Sequence, residues 1–228
     1  MIIKNNIIAH RGMFNNKDIP ENSKKAFEEA IKNDIAFECD IQLTKDNILV
    51  IFHDDTLKRM TGISKKISDI TYKELSAYKL LNTKYTIPTL KEILELNNDK
   101  VLIDIEIKPC KNYKKACEIL IKELKNYNNY ILKSFHPFIV HYLKKKTNNI
   151  EVGYLISKKY PKIIQNIFLP SKLLIWYIHP DFLAINKQLI NKKKYKQYLK
   201  KIPILLWTIK EQKNYPKNCI LICNNLKK

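Results

Sequence analysis

The chain has 228 residues, 45% of them hydrophobic, with 42 lysines and arginines against 22 aspartates and glutamates for a formal net charge of +20. It has only three glycines, Gly12, Gly62 and Gly153, so it holds no G-x-G-x-x-G dinucleotide loop, no G-x-x-x-x-G-K-[ST] phosphate loop and no G-x-S-x-G nucleophile elbow. No run of about 18 apolar residues reads as a membrane span, and five cysteines without a C-x-x-C pair read as reduced thiols, so a soluble, cytoplasmic protein is expected.

Apolar runs of strand length alternate with lysine-studded segments of helical period. A first strand over Ile7–His10 leads into a helix over Ser23–Asn33, followed by strands at Ala36–Leu43 and Ile48–His53. Residues 55–87 contain no strong strand and one short helical stretch, Tyr72–Tyr78, and read as an insertion at the mouth of the fold. Beyond it come a helix at Thr89–Asn97, a strand at Val101–Lys108, a helix at Tyr113–Tyr127, a strand at Tyr130–Phe135 and a helix at Pro137–Lys146. The pattern continues with a strand at Glu151–Ile156, a helix at Pro161–Phe168, a strand at Leu173–Ile178, a helix at Lys187–Lys200, and strands at Pro203–Ile209 and Cys219–Cys223. Several helices open on Ser, Thr or Pro, as helix starts do. Such alternation demands crossover units and a largely parallel sheet. With no linker to divide the chain, the expected fold is α/β, a closed (β/α)₈ TIM barrel with a small insertion after the third strand.

The link Thr44-Lys45-Asp46-Asn47 is too short for a parallel crossover, so the second and third strands form a hairpin. A tight Asp46-Asn47 turn would pair residues whose numbers sum to 93 and set His53 opposite Asp40.

Strand alternation places Glu38 and Asp40 on one face of the second strand, and Asp104, Glu106 and Lys108 on one face of the fourth. Acids on apolar strands are costly without compensation. A salt bridge of Glu106 with Lys108 would leave Glu38 and Asp40 unpaired, whereas Glu38, Asp40 and Glu106 together offer the oxygen ligands of a hard cation such as Mg²⁺ or Ca²⁺. His10 and His53 stand at strand ends, where barrels carry their chemistry, and imidazole suits proton transfer near neutrality. His136, His141 and His179 read as structural.

The basic excess is unevenly placed. Residues 1–110 hold 17 basic and 17 acidic side chains, and residues 111–228 hold 25 and 5. Only Arg11 and Arg59 are arginines, which argues against nucleic acid as partner, since bidentate phosphate and base recognition favours arginine. The lysines read as a solvated surface, with weak contact to an anionic membrane surface as the alternative. Gly12 follows Arg11 directly and would give a turn free of side-chain bulk.

His10-Arg11-Gly12, Pro20-Glu21-Asn22-Ser23, Glu38-x-Asp40 with Thr44-Lys45-Asp46, His53-Asp54 with Leu57-x-Arg59-x-Thr61, Glu106-Ile107-Lys108, Ser134-Phe135 and Trp207-Thr208 form an ordered series. That series resembles the motif set of the glycerophosphodiester phosphodiesterase family along nearly the whole chain. The resemblance implies one barrel domain over residues 1–228, a divalent cation, and hydrolysis of glycerophosphodiesters to glycerol 3-phosphate and an alcohol. By position it implies metal ligation by Glu38, Asp40 and Glu106, an acid and base pair in His10 and His53, phosphate contacts from Arg11 and Lys108, and an aromatic wall for glycerol in Trp207. We assign His10 as the base and His53 as the acid, with either water or the neighbouring glycerol hydroxyl as nucleophile. Two departures stand out. Asn22-Ser23 replaces the commoner Asn-Thr, and Ile222-Cys223-Asn224-Asn225-Leu226 replaces the usual final Thr-Asp-x-Pro, a change that bears on barrel closure. The alternatives are lysophospholipase D-like action at a membrane surface, or a non-catalytic basic binding protein on the same barrel.

Overall fold

The computed structural model describes residues 6–147, 149–157, 171–192, 195, 198, 201–211, 215–216, 218–224 and 226. Nine strands are present among them: β1 (Ile7–Ala9), β2 (Ala36–Leu43), β3 (Leu49–Ile51), β4 (Ile103–Ile107), β5 (Tyr130–Ser134), β6 (Val152–Ile156), β7 (Phe182–Asn186), β8 (Ile204–Ile209) and β9 (Cys219–Cys223). β1 pairs in parallel with both β2 and β9, so eight parallel strands close into a barrel, and β3 lies antiparallel on β2. The helices are α1 (Lys24–Lys32), α2 (Lys58–Thr61), α3 (Tyr72–Leu75), α4 (Leu90–Asn97), α5 (Tyr113–Glu123), α6 (Pro137–Lys146) and α7 (Lys172–Ile178). The last strand closes the barrel despite its departure from the family's ending, with Ile7, Ile8 and Ala9 in register with Leu221, Ile222 and Cys223. No helix among the described residues is long and apolar enough to cross a membrane.

Local chemistry accounts for the elements. Ser23 caps α1 by accepting from the Ala26 N–H, and Thr89 with Glu92 forms a reciprocal capping box on α4. Phe37, Cys39 and Ile41 of β2, with Ile103, Ile105 and Ile107 of β4, point outward into the apolar shell shared with Phe27, Leu90 and Leu120 of the helices. A second apolar cluster, including Ile8, Ala36, Phe182, Ala184 and Leu205, fills the barrel interior. The Phe182 ring occupies that space so fully that a Cβ at Gly153 would lie 2.1 Å from it. The insertion has its own core, in which Leu57, Met60, Ile67, Ile70 and Leu75 pack on Val50 and Phe52.

Three expectations are corrected. The hairpin pairs Ile41 with Ile51 and Leu43 with Leu49, a sum of 92, so Phe52 donates to the Asp40 carbonyl and His53 falls one residue further on. Its loop holds three residues: the Asn47 N–H donates to the Thr44 carbonyl around Lys45 and Asp46, and Asn47 itself turns through φ +63°, while the Asp46 carboxylate accepts from Thr44 Oγ1 and the Tyr72 N–H. The seventh strand is Phe182–Asn186, whereas Leu173–Ile178 lies in helix α7. A short apolar run is ambiguous in period, and here Ser171 settles it by capping Leu174 while His179 ends the helix in a left-handed turn. Gly12 makes the expected bulk-free turn, at φ +80° and close enough to Ala26 that an added Cβ would stand 2.8 Å from its backbone. Residues 187–192 form turns where a helix over Lys187–Lys200 was expected, and most of that segment's remainder, like Pro161–Phe168, lies outside the described residues.

Candidate active site

The C-terminal ends of the barrel strands surround a cavity of about 1130 Å³. His10, Arg11, Glu38, Asp40, His53, Glu106, Lys108 and Trp207 all line it. Parallel pairing in register puts Glu38 beside Asp104 and Asp40 beside Glu106, so four inward acids sit on two adjacent strands. Oxygens of Glu38, Asp40 and Glu106 lie within 4.8 Å of one another, all three residues buried.

Three bases compensate the four acids. Lys108 Nζ is 2.8 Å from Glu106 and 3.3 Å from Asp40. Lys133, buried on β5, reaches Asp104 at 2.5 Å and Glu38 at 3.4 Å. Arg11 donates to Glu21 at 2.6 Å and stands 3.4 Å from Asp40, with its Nε buried and without a hydrogen-bond partner. Counted as fully ionised, the four acids exceed the three bases by one, and Arg11 is shared with Glu21 besides. Burial pushes the Glu38 carboxyl up despite Lys133, and raises Asp104 to about 7. Asp40 goes the other way: burial raises it, but Lys108, His53 and Arg11 together hold it well below the usual carboxylate range. This oxygen-only donor set with residual negative charge fits a divalent cation. The unpartnered, buried Oδ1 of Asp104 marks how incompletely the protein alone satisfies the cluster.

The two histidines have different partners. His53 Nδ1 is 2.7 Å from the Asp54 carboxylate, which Arg59 grips through Nε at 2.6 Å and Nη2 at 3.0 Å. Gln42 donates to the carbonyls of Phe52 and Asp54, pinning the chain on either side of His53. Arg59 also donates to Glu21 at 2.7 Å, so both arginines of the chain meet on one buried glutamate. Burial would raise Glu21, but the Arg59 hydrogen bond and the Arg11 charge take it down to about 2. His10 instead meets an amide, with Nδ1 2.5 Å from Asn224 Oδ1. Burial and then the Arg11 charge lower His10 to about 3, so it is neutral at ordinary pH.

The remaining supports come from turns. Arg11, at φ +57°, donates its N–H to Glu38 Oε2, and Asn22, at φ +56°, donates to both the Arg11 carbonyl and Asp40 Oδ2. Ser134 Oγ donates to the Ile107 carbonyl and so ties β5 to β4 beside Glu106 and Lys108. Trp207 donates Nε1 to the Ala184 carbonyl and meets Phe135 edge-on at 5.6 Å, forming the apolar wall. Glu21, Asn22, Asp54, Arg59, Lys133 and Asn224 thus belong to the site without having been assigned roles from sequence. The available signals were the convergence of scarce arginine on two motifs and a lysine interrupting the apolar run Tyr130–Ser134.

The profile of the glycerophosphoryl diester phosphodiesterase family matches residues 10–221. A glycerophosphodiester phosphodiesterase from Caldanaerobacter subterraneus subsp. tengcongensis is 33% identical over 200 residues, covering 82% of this chain and 80% of the relative. Among solved structures, the Thermotoga maritima glycerophosphodiester phosphodiesterase superposes with a TM-score of 0.75 at 28% identity, covering 96% of this chain and 93% of that one. An Oleispira antarctica phosphodiesterase, solved with its product sn-glycerol-3-phosphate, shares the fold with a TM-score of 0.81 at 24% identity, over 96% and 92% of the two chains. With this match and with these acids, bases and histidines gathered at one barrel mouth, the chain belongs to the glycerophosphoryl diester phosphodiesterase family and is an enzyme of that class.

Proposed function

We propose that the chain hydrolyses glycerophosphodiesters to glycerol 3-phosphate and an alcohol, with a divalent cation, Mg²⁺ or Ca²⁺, and with His10 and His53 as its proton-transfer pair. The observation carrying this reading is the cluster of Glu38, Asp40 and Glu106 oxygens within 4.8 Å, in the same cavity as two histidines with unlike partners. Glu38, Asp40 and Glu106 would hold the cation, which when bound supplies charge neutralisation at the phosphoryl oxygens.

The protein's own groups do the rest. Arg11 and Lys108 line the cavity and offer fixed positive charge to the phosphodiester. His10, in the same cavity as the acids, takes the proton of the attacking hydroxyl. His53 delivers a proton to the departing alkoxide, and the Asp54 carboxylate 2.7 Å from Nδ1 stabilises its charged form. Trp207 and Phe135 provide the apolar wall against the glycerol carbons.

The test is release of glycerol 3-phosphate from glycerophosphocholine. EDTA should abolish it, and His10→Ala should lower kcat by roughly 10²–10⁴-fold, the contribution of a positioned proton-transfer group. Activity that survives both overturns the reading. Lysophosphatidylcholine as a parallel substrate distinguishes action at a lipid surface from action on the soluble diester.

A further inference from the structure

We propose that Asn224 is a positioning residue that fixes the tautomer of His10: its amide oxygen accepts a hydrogen bond from Nδ1–H and so leaves Nε2 as the free base. The proposal deepens the assignment of His10 as base and rests on it.

The geometry is specific. Asn224 follows directly after β9, and its Oδ1 stands 2.5 Å from His10 Nδ1, across the seam where β9 closes on β1. Both residues are tethered by their backbones. His10 donates its N–H to the Cys223 carbonyl at 2.9 Å, and Asn224 donates its N–H to the Ile209 carbonyl at 2.8 Å. The imidazole therefore cannot turn without losing a partner held by two neighbouring strands.

A neutral imidazole carries one N–H, and the nitrogen that bears it is set by the hydrogen bond that the other atoms permit. An amide oxygen can only accept. Facing Nδ1, it commits the ring's single proton there and turns the lone pair of Nε2 to the remaining side of the ring. The partner on His53 is a carboxylate, which stabilises imidazolium; the partner on His10 is an uncharged amide, which orients the ring without drawing it into the charged form. The two histidines are thereby set up for opposite directions of proton transfer by one difference, Asp54 against Asn224.

The experiment uses the full chain labelled with ¹⁵N-histidine, with the His10 ring signals assigned by their loss in His10→Gln. At neutral pH Nδ1 should show the shift of a protonated ring nitrogen and Nε2 that of an unprotonated one. In Asn224→Ala this preference should be lost and kcat should fall roughly 10–100-fold, the usual effect of losing an orienting partner, with KM changed about twofold at most. The kcat loss should persist on a diester with a nitrophenol leaving group, because such a substrate relieves the need for an acid and not for a base. Asn224→Asp, which keeps the acceptor and the side-chain shape, should restore the Nδ1 proton. A protonated Nε2 in the unmodified chain, as the reversed amide would give, overturns the proposal, and so does an Nδ1 proton that persists in Asn224→Ala. If the tautomer follows Asn224 while His10→Ala stays active, Asn224 still orients the ring and it is the base assignment that fails.

Discussion

Inside the barrel, β2 and β4 present Glu38, Asp40, Asp104 and Glu106, whereas β6, β7, β8 and β9 present Gly153, Leu155, Ala184, Leu205 and Ile222. Along the chain the charge is arranged the other way: residues 1–110 balance 17 basic against 17 acidic side chains, and residues 111–228 carry 25 against 5. The difference separates two kinds of charge. Charges inside the first half are few, buried and paired by name, because an uncompensated buried carboxylate is costly. The excess of the second half consists of lysines, of which Lys133 enters the site and Lys111 lines the cavity. Each half needs the other at a few points. Lys133 of β5 reaches back to Asp104 and Glu38, Trp207 of β8 walls the cavity, and Asn224 holds His10.

The largest effect that would test this division is at Lys133, the buried cation that the second half lends to the first. Lys133→Met leaves Asp104 and Glu38 without it and should lower stability by roughly 3–5 kcal/mol, the usual result of removing one partner of a buried ion pair. Asp104→Leu in the same chain should recover most of that loss in urea unfolding. A single variant as stable as the parent would mean the halves are not joined by charge. The apolar half should fail by steric means instead. Gly153→Ala drives a methyl into the Phe182 ring at 2.1 Å and should cost roughly 1–3 kcal/mol in the same measurement, insensitive to salt. Salt-dependent destabilisation there would break the comparison.

The most gradual effect belongs to the first half alone and is read in acid. Glu21 has its folded pKa depressed from 4.5 to about 2, so its contribution to stability is complete above about pH 4.5 and disappears as pH falls toward 2. The stability difference between the parent chain and Glu21→Gln should shrink across that window by on the order of 1 kcal/mol per pH unit. A difference that stays constant from pH 5 to 2 would show that Arg11 and Arg59 do not hold this carboxylate ionised.

Much of the site was legible before any coordinates. Face alternation alone set Glu38 with Asp40 and Asp104 with Glu106, because a strand's side chains repeat every two residues whatever surrounds it. The short link after Leu43 required a hairpin for a similar reason of chain reach. The register of that hairpin was not legible, since Asp46-Asn47 suits a two-residue turn as well as the three-residue loop that forms, in which Asn47 takes the left-handed conformation. The exchange of strand for helix at Leu173–Ile178 had the same origin: six apolar residues satisfy either period, and only the Ser171 cap and the pairing of Phe182–Asn186 between β6 and β8 decide between them.

What the sequence by itself determined is therefore the set of chemical groups and the faces on which they lie: the alternating elements, the acids of β2 and β4, two histidines at strand ends and the family motif series. What only the tertiary structure decided is partnership. That Arg11 and Arg59 share Glu21, that Lys133 neutralises Asp104 and Glu38, and that His53 meets a carboxylate while His10 meets an amide 214 residues away depend on barrel closure. Local sequence constrains a residue's direction through backbone period, but its partner across the barrel is chosen by strand order and register, which the whole chain must set together.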